Sequence, residues 1–270
     1  MKRMVLLGVL LAGWTAAQAP RSPGYADYER ANRLFVAGKY QEAFNAVDEA
    51  LKLDPRLAPA LTLKAKLAMA ANRYDVAREN LERAIAAEPS SWYAQFLYGF
   101  QFYRQNQLPA AIQALEKARR LNPRDARTAL YLGLARESLG QTTEALESYR
   151  EAVRSGETSG QLDTDMLLSG ARLLLRSGEF EECRHWVDRA LKLTPGSRDA
   201  HFEFARLLLK TGDAAGAAKQ GELALELHTG DVTERQVHFL LVQAYQSAGR
   251  EQDAERHAAA IRALEERERK

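Results

Sequence analysis

The stretch Ala37–Pro55, AGKYQEAFNAVDEALKLDP, ends one apolar run at Gly38, opens a second at Tyr40 and stops at an Asp-Pro pair. Close variants return at residues 70–89 (AANRYDVARENLERAIAAEP), 105–123 (QNQLPAAIQALEKARRLNP) and 176–195 (RSGEFEECRHWVDRALKLTP). Pro55, Pro89 and Pro123 are spaced by 34 residues, and Pro195 follows 72 later, two such periods plus four. A fixed period of this size marks stacked copies of one supersecondary unit.

With each proline at repeat position 32, units start at residues 24, 58, 92, 126, 164, 198 and 235. The two register breaks fall at 156–163 (GETSGQLD) and 228–234 (HTGDVTE), whose Gly, Ser, Thr and Asp content predicts loops. Inside each unit two apolar runs at helical spacing flank a turn at Gly38, Asn72, Asn106, Gly140, Gly178, Gly212 or Gly249. Glycine and asparagine tolerate the left-handed conformation that ends a helix, so each unit is predicted to be a helical hairpin. Small residues recur where two helices must approach: Ala31, Ala65, Gly99, Gly133, Ala171 and Ala205 in first helices. Their counterparts in second helices are Ala43, Ala77, Ala111, Ala145, Cys183, Ala217 and Ala254. A third set, Ala50, Ala84, Ala118, Ala152, Ala190, Ala224 and Ile261, is placed against neighbouring units.

Composition is that of an ordinary soluble chain of 270 residues, 46% hydrophobic and 27% charged. A formal net charge of +2 gives no reason to expect nucleic acid as a partner. The opening MKRMVLLGVLLAGWTAAQAP has two basic residues, an apolar run from Met4 to Trp14 and then small residues, the layout of a secretory signal peptide. Cleavage after Ala17 is preferred to cleavage after Ala19, because Pro20 follows the second bond; residues 18–23 then form a short linker. An uncleaved anchor is the alternative, but the run is shorter than the roughly 20 residues of a helical span, so no stable membrane span is expected after processing. The chain is expected to be exported, to a bacterial periplasm or the extracellular space. None of its six asparagines heads an N-glycosylation site, in keeping with a bacterial setting.

Chemistry is sparse. No phosphate-binding glycine loop, H-E-x-x-H, C-x-x-C or G-x-S-x-G occurs, and the repeats leave no room for a separate catalytic domain, so no enzyme and no cofactor is expected. Cys183 takes a position that alanine fills in the other units, which predicts a buried small residue rather than a nucleophile beside His185. His201 and His238 share one repeat position and are read as packing histidines, not metal ligands.

The period, the small residues, the aromatic after the turn (Tyr40, Tyr74, Phe180) and the terminal proline together resemble the tetratricopeptide repeat over residues 24–268. Units four, six and seven lack the proline, and unit seven has Glu251 where the aromatic belongs. The resemblance implies an all-α, right-handed solenoid of about seven repeats (24–57, 58–91, 92–125, 126–159, 164–197, 198–231 and 235–268) whose first helices line a concave face. It also implies that repeat positions 2, 5, 9, 12 and 13 of each first helix point into the groove.

At those positions the chain carries Tyr28 and Phe35 in unit one and Tyr93, Phe96, Phe100, Tyr103 and Arg104 in unit three. Units five and six carry Arg172, Arg176, Arg206 and Lys210. An aromatic stripe on a soluble protein marks an interaction site, unless curvature folds the rings into the core. The cations would receive acidic groups of a partner, unless Asp165 and Asp199, earlier on the same helices, neutralise them. Tyr28 and Leu63 stand where the family's chaperone-tail clamp needs Lys and Asn, so that specialised role is not expected. The leading expectation is a non-enzymatic scaffold that holds an extended or helical segment of another protein, in assembly of an envelope or secretion complex. The alternative is a carbohydrate-binding or accessory subunit of an extracellular polymer machine, stacking sugars on the rings, with Gln95, Gln101 and Gln105 nearby. Ala258, Ile261 and Leu264 lie on a last helix with no following unit, which predicts an apolar end face and a weak homodimer.

Overall fold

The computed structural model describes residues 22–268. The signal-peptide reading of residues 1–17, with its cleavage sites, and most of the 18–23 linker lie outside the described residues. Among the described residues there are fourteen helices and no strand: α1 (Tyr25–Val36), α2 (Tyr40–Leu53), α3 (Ala58–Ala70), α4 (Tyr74–Ala87), α5 (Trp92–Arg104), α6 (Leu108–Leu121), α7 (Ala126–Ser138), α8 (Thr142–Ser159), α9 (Thr164–Ser177), α10 (Phe180–Leu193), α11 (Arg198–Lys210), α12 (Ala214–Glu226), α13 (Glu234–Ser247) and α14 (Glu251–Glu268). Odd-numbered helices are the first, and even-numbered the second, of seven hairpins.

All seven predicted turn residues are left-handed, with φ between 56° and 91°. Asn72 and Asn106 are the only non-glycine residues with positive φ among those described, as the tolerance of asparagine for this region requires. All three small-residue sets are buried: Ala31, Ala43, Ala50, Ala65 and Ala77 have no exposed surface, and Ile261 retains 7%. Gly99 and Gly133 are small for a definite reason. A Cβ would lie 2.6 Å from Leu115 Cγ at the first and 2.7 Å from the Tyr149 ring at the second.

The chain divides into two compact units, one ending at Glu88 and the other starting at Pro89. The first holds two hairpins, with α2 packed on α3 and α1 on α3. The second holds five; each second helix packs on the next first helix, and α5, α7, α9, α11 and α13 contact one another in series. Those five first helices therefore make one continuous layer.

Two details differ from the sequence expectation. Residues 156–159, expected in a loop, form the last turn of α8, and the chain reverses only at Gly160 (φ 70°). Unit four has Glu157 where units one, two, three and five have the proline that stops a helix, and α8 runs on. At the last helix, Ile261 is buried and Ala258 and Leu264 are half-buried, so the apolar end face shrinks to two partly covered side chains. The contact between α13 and α14 takes up this surface inside the hairpin. No described helix is long and apolar enough to cross a membrane.

Candidate partner-binding face

Within the second unit, the first-helix layer changes character along its length. At the α5 end, Tyr93 stacks on Phe96 (ring centroids 6.1 Å apart) and Phe96 on Phe100 (6.2 Å). Tyr131 of α7 closes the group, 4.8 Å from Phe100 and 5.5 Å from Tyr103. The Arg127 guanidinium lies 5.4 Å from the Phe96 ring, in cation–π range. Phe96 is only 5% exposed, so it supports the cluster from beneath; Tyr93, Phe100 and Tyr103 are half-buried and Arg104 is exposed. Burial, and after it the Glu137 carboxylate, holds the Tyr103 phenol above its ordinary range. The Tyr131 phenol is raised by burial first and then by Tyr103.

Gln95 and Gln101, offered as sugar-binding partners of the rings, are 7% and 1% exposed and belong to the packing side of α5. Of the three glutamines only Gln105 is exposed, so the polar surface for the carbohydrate alternative is reduced to that residue. Tyr28 and Phe35 belong to the first unit. There Tyr28 meets Tyr25 edge-on at 5.5 Å, and Phe35 packs 5.7 Å from Tyr40 with the Lys66 ammonium 4.3 Å above its ring.

The basic residues have partners other than the aspartates. Glu203, buried at 4% side-chain exposure, accepts from Arg172 Nε at 2.9 Å and from Arg206 Nη1 at 2.7 Å. Arg176 pairs with Glu137, which also accepts from the Tyr149 hydroxyl at 2.5 Å. Asp199 instead caps the 227–233 loop, accepting from Asp231 N (3.1 Å) and Val232 N (2.9 Å). Asp165 sits near Asp163, Asp199 and Asp231; burial first, and then these carboxylates, raise its pKa. Lys210 is exposed and has no ion-pair partner among the described residues.

Arg176, Arg206 and Lys210 converge on a cleft of about 840 Å³ between α9, α11 and α13. Leu175, Leu209 and Leu240 form its apolar wall, and Gln243, Gln246 and Ser247 its polar rim. A volume of this size, with an apolar wall and a few polar groups, is typical of a ligand-holding site. Its lining carries three cations and no carboxylate; Arg176 and Arg206 are paired with Glu137 and Glu203, and Lys210 leaves a positive excess.

Tyr131, Glu203 and Leu240 escaped the sequence reading for one reason. Each is the sixth residue of its unit, counting from 126, 198 and 235, a position outside the set 2, 5, 9, 12 and 13 that the resemblance points into the groove. The layer of first helices brings position six into contact across neighbouring repeats. Gln243, Gln246 and Ser247 lie at positions 9, 12 and 13 of unit seven, where the rule used for units three, five and six finds them.

No group of three or more His, Cys, Asp or Glu side chains suited to a metal occurs among the described residues. Cys183 is 1% exposed, its Sγ donates to the Ala171 carbonyl at 3.4 Å, and burial raises its thiol to about 11. His201 is held by Gln220 Oε1 at 2.7 Å and the Pro195 carbonyl at 3.0 Å, a packing role.

Among solved structures, the chain is similar to that of Pseudomonas aeruginosa pilF, with a TM-score of 0.69 and 21% identity, covering 83% of this chain and 97% of that one. YrrB, a TPR protein with an unusual peptide-binding site, aligns with a TM-score of 0.60 and 19% identity over 74% of this chain and 98% of its own. Identity at this level speaks for the fold alone. The chimpanzee E3 SUMO-protein ligase RanBP2 is 33% identical over 138 residues, which is 50% of this chain and 4% of that much longer protein. The TPR repeat-containing protein YpiA of Bacillus subtilis is 32% identical over 107 residues, 39% of this chain and 24% of YpiA. Two family models described as tetratricopeptide repeat match residues 34–97 in one case and 101–160 and 168–232 in the other, and with seven helical hairpins in phase the chain belongs to the tetratricopeptide-repeat family.

Proposed function

We propose that this chain is a non-enzymatic scaffold that holds a segment of a partner protein along the first-helix layer of its second unit. The observation that carries the reading is the cleft between α9, α11 and α13, where Arg176, Arg206 and Lys210 stand beside Leu175, Leu209 and Leu240. Such a surface selects acidic side chains flanking an aliphatic one. The cations lie on two helices, and Arg172 and Arg176, like Arg206 and Lys210, are four residues apart, about 6 Å along a helix. Spread-out charge of this kind suits several side-chain carboxylates better than one terminal carboxylate. At the α5 end the half-buried rings of Tyr93, Phe100, Tyr103 and Tyr131 supply apolar contact, and aromatic and arginine side chains are the usual hot spots of protein interfaces. YrrB, with its peptide-binding site, supports the same use of the fold. The signal-peptide layout of residues 1–17 supports work outside the cytoplasm, in assembly of an envelope or secretion complex.

Selection of a random peptide library on the immobilised full chain tests this. Wild-type protein is expected to enrich segments with two or more Asp or Glu around a Leu, Ile or Val, and Arg206→Glu/Lys210→Glu to lose the enrichment by roughly tenfold or more. Equal enrichment by both proteins, or none by either, would remove the cleft from the account.

A further inference from the structure

The last repeat contains a buried polar cluster that partner binding does not use. His238 on α13 and His257 on α14 are 8% and 5% exposed, and their Nδ1 atoms lie 2.9 Å apart. His257 Nε2 is 3.1 Å from Glu222 Oε1 of α12, and the same oxygen accepts from the Tyr245 hydroxyl at 2.7 Å. The Tyr245 ring stacks on His257 with centroids 5.4 Å apart and an interplanar angle of 9°. Two ring nitrogens at hydrogen-bond distance need one proton between them. If His257 donates from Nε2 to Glu222, its Nδ1 accepts and His238 donates from Nδ1, so the cluster is satisfied with both rings neutral. A first added proton leaves that bond intact. A second sets one Nδ1–H against the other inside the hairpin.

The surrounding charges do little to relieve this. From α13, Glu234 reaches only to 3.6 Å from His238 Nε2 and is 58% exposed. From α12 there is Glu222, already shared between His257 and Tyr245. From α14, Asp253 is engaged by Arg250 and Arg256, and the Arg250 guanidinium lies over the far ring, Tyr245. On the α11 side, Arg206 and Lys210 face the cleft and Asp199 is held by the 227–233 loop. Burial, and then His257, pulls the His238 pKa below its ordinary value. A base with a depressed folded-state pKa binds more protons when unfolded, so its contribution to stability is lost as pH falls below the ordinary histidine range near 6.5.

The helix that carries His238 also forms one wall of the cleft, through Leu240, Gln243, Gln246 and Ser247. We infer that double protonation of the His238–His257 pair drives α14 from α13 and releases the packing of this hairpin, so that acid loosens the α13 wall of the cleft and discharges its occupant. The discharge rests on the partner-binding reading; the release of the hairpin does not.

Hydrogen exchange of the full chain, corrected for intrinsic rates and read at about pH 7.5 and about pH 5, separates the two. Amides of 234–268 are expected to lose protection by roughly tenfold or more relative to those of 164–193, and His238→Gln to hold the loss under about twofold. A library-selected acidic segment is expected to weaken by a similar factor in wild type only. The histidine Cε1–H resonances of the unmodified protein give a measure independent of any variant, with one member of the pair titrating below the ordinary histidine range. Unchanged relative protection, an equal loss in His238→Gln, or ordinary titration of both rings would overturn the release. Loss of protection with undiminished binding would overturn its link to the cleft. If no segment binds at neutral pH, the partner-binding reading fails, and the exchange result still decides the switch.

Discussion

Gly170 has no room for a side chain, since a Cβ there would lie 2.0 Å from the Trp186 ring, which is itself 4% exposed. Gly170→Ala must displace a rigid indole from a packed core and is expected to cost about 1–3 kcal/mol, read as a lower urea midpoint with an unchanged slope. An unchanged midpoint would show that the ring can move aside. The 34-residue pattern points to the next residue, Ala171, as the small position and gives no hint of Gly170, because Trp186 is peculiar to unit five. Cys183 makes a complementary test. Its burial and raised thiol predict that it stays unlabelled by a soluble thiol reagent in the native protein and reacts only at the rate of unfolding. Labelling in the folded state at the rate of a free thiol would contradict the buried assignment.

At the scale of elements, the 227–233 loop shows what holds a register break in place. Asp199 accepts from two of its amides, Arg198 donates to the Val232 and Ala224 carbonyls, and Thr229 donates to Gly196 O. Removing the buried carboxylate leaves two amides without their acceptor, so Asp199→Ala is expected to cost about 1–3 kcal/mol and to raise exchange at Asp231 and Val232 first. A global loss of protection with no early exchange in the loop would show that Asp199 acts elsewhere. Helix boundaries were legible in the sequence wherever proline, glycine or asparagine marks them. They were misread at α8, where the stop signal is missing. Glu203 and Glu137 were illegible as partners of the arginines, because ion pairing across repeats depends on which side chains share the first-helix layer, and spacing along one helix cannot report that. Glu203 competes with any incoming acid for Arg172 and Arg206. Glu203→Gln is therefore expected to bind the selected acidic segment several-fold more tightly while lowering stability; weaker binding would make Glu203 a positioning residue for the cleft.

For the whole molecule, periodicity read from sequence supplied the fold class, the repeat starts and a groove rule that recovers most of the cleft, but it could not show which rings are covered or which charges are already paired. The cleft's positive excess predicts that binding of an acidic segment weakens steeply between low and physiological salt, whereas attachment through the aromatic group alone would not. The most direct test of the account is a leucine-methyl NMR titration of the full chain with a library-selected acidic segment. The account predicts that the Leu175, Leu209 and Leu240 methyls shift together and saturate, and that Lys210→Glu abolishes the response. Shifts confined to second-helix leucines such as Leu191 and Leu225, or a response indifferent to Lys210→Glu, would contradict it and move the partner to the opposite face of the repeats.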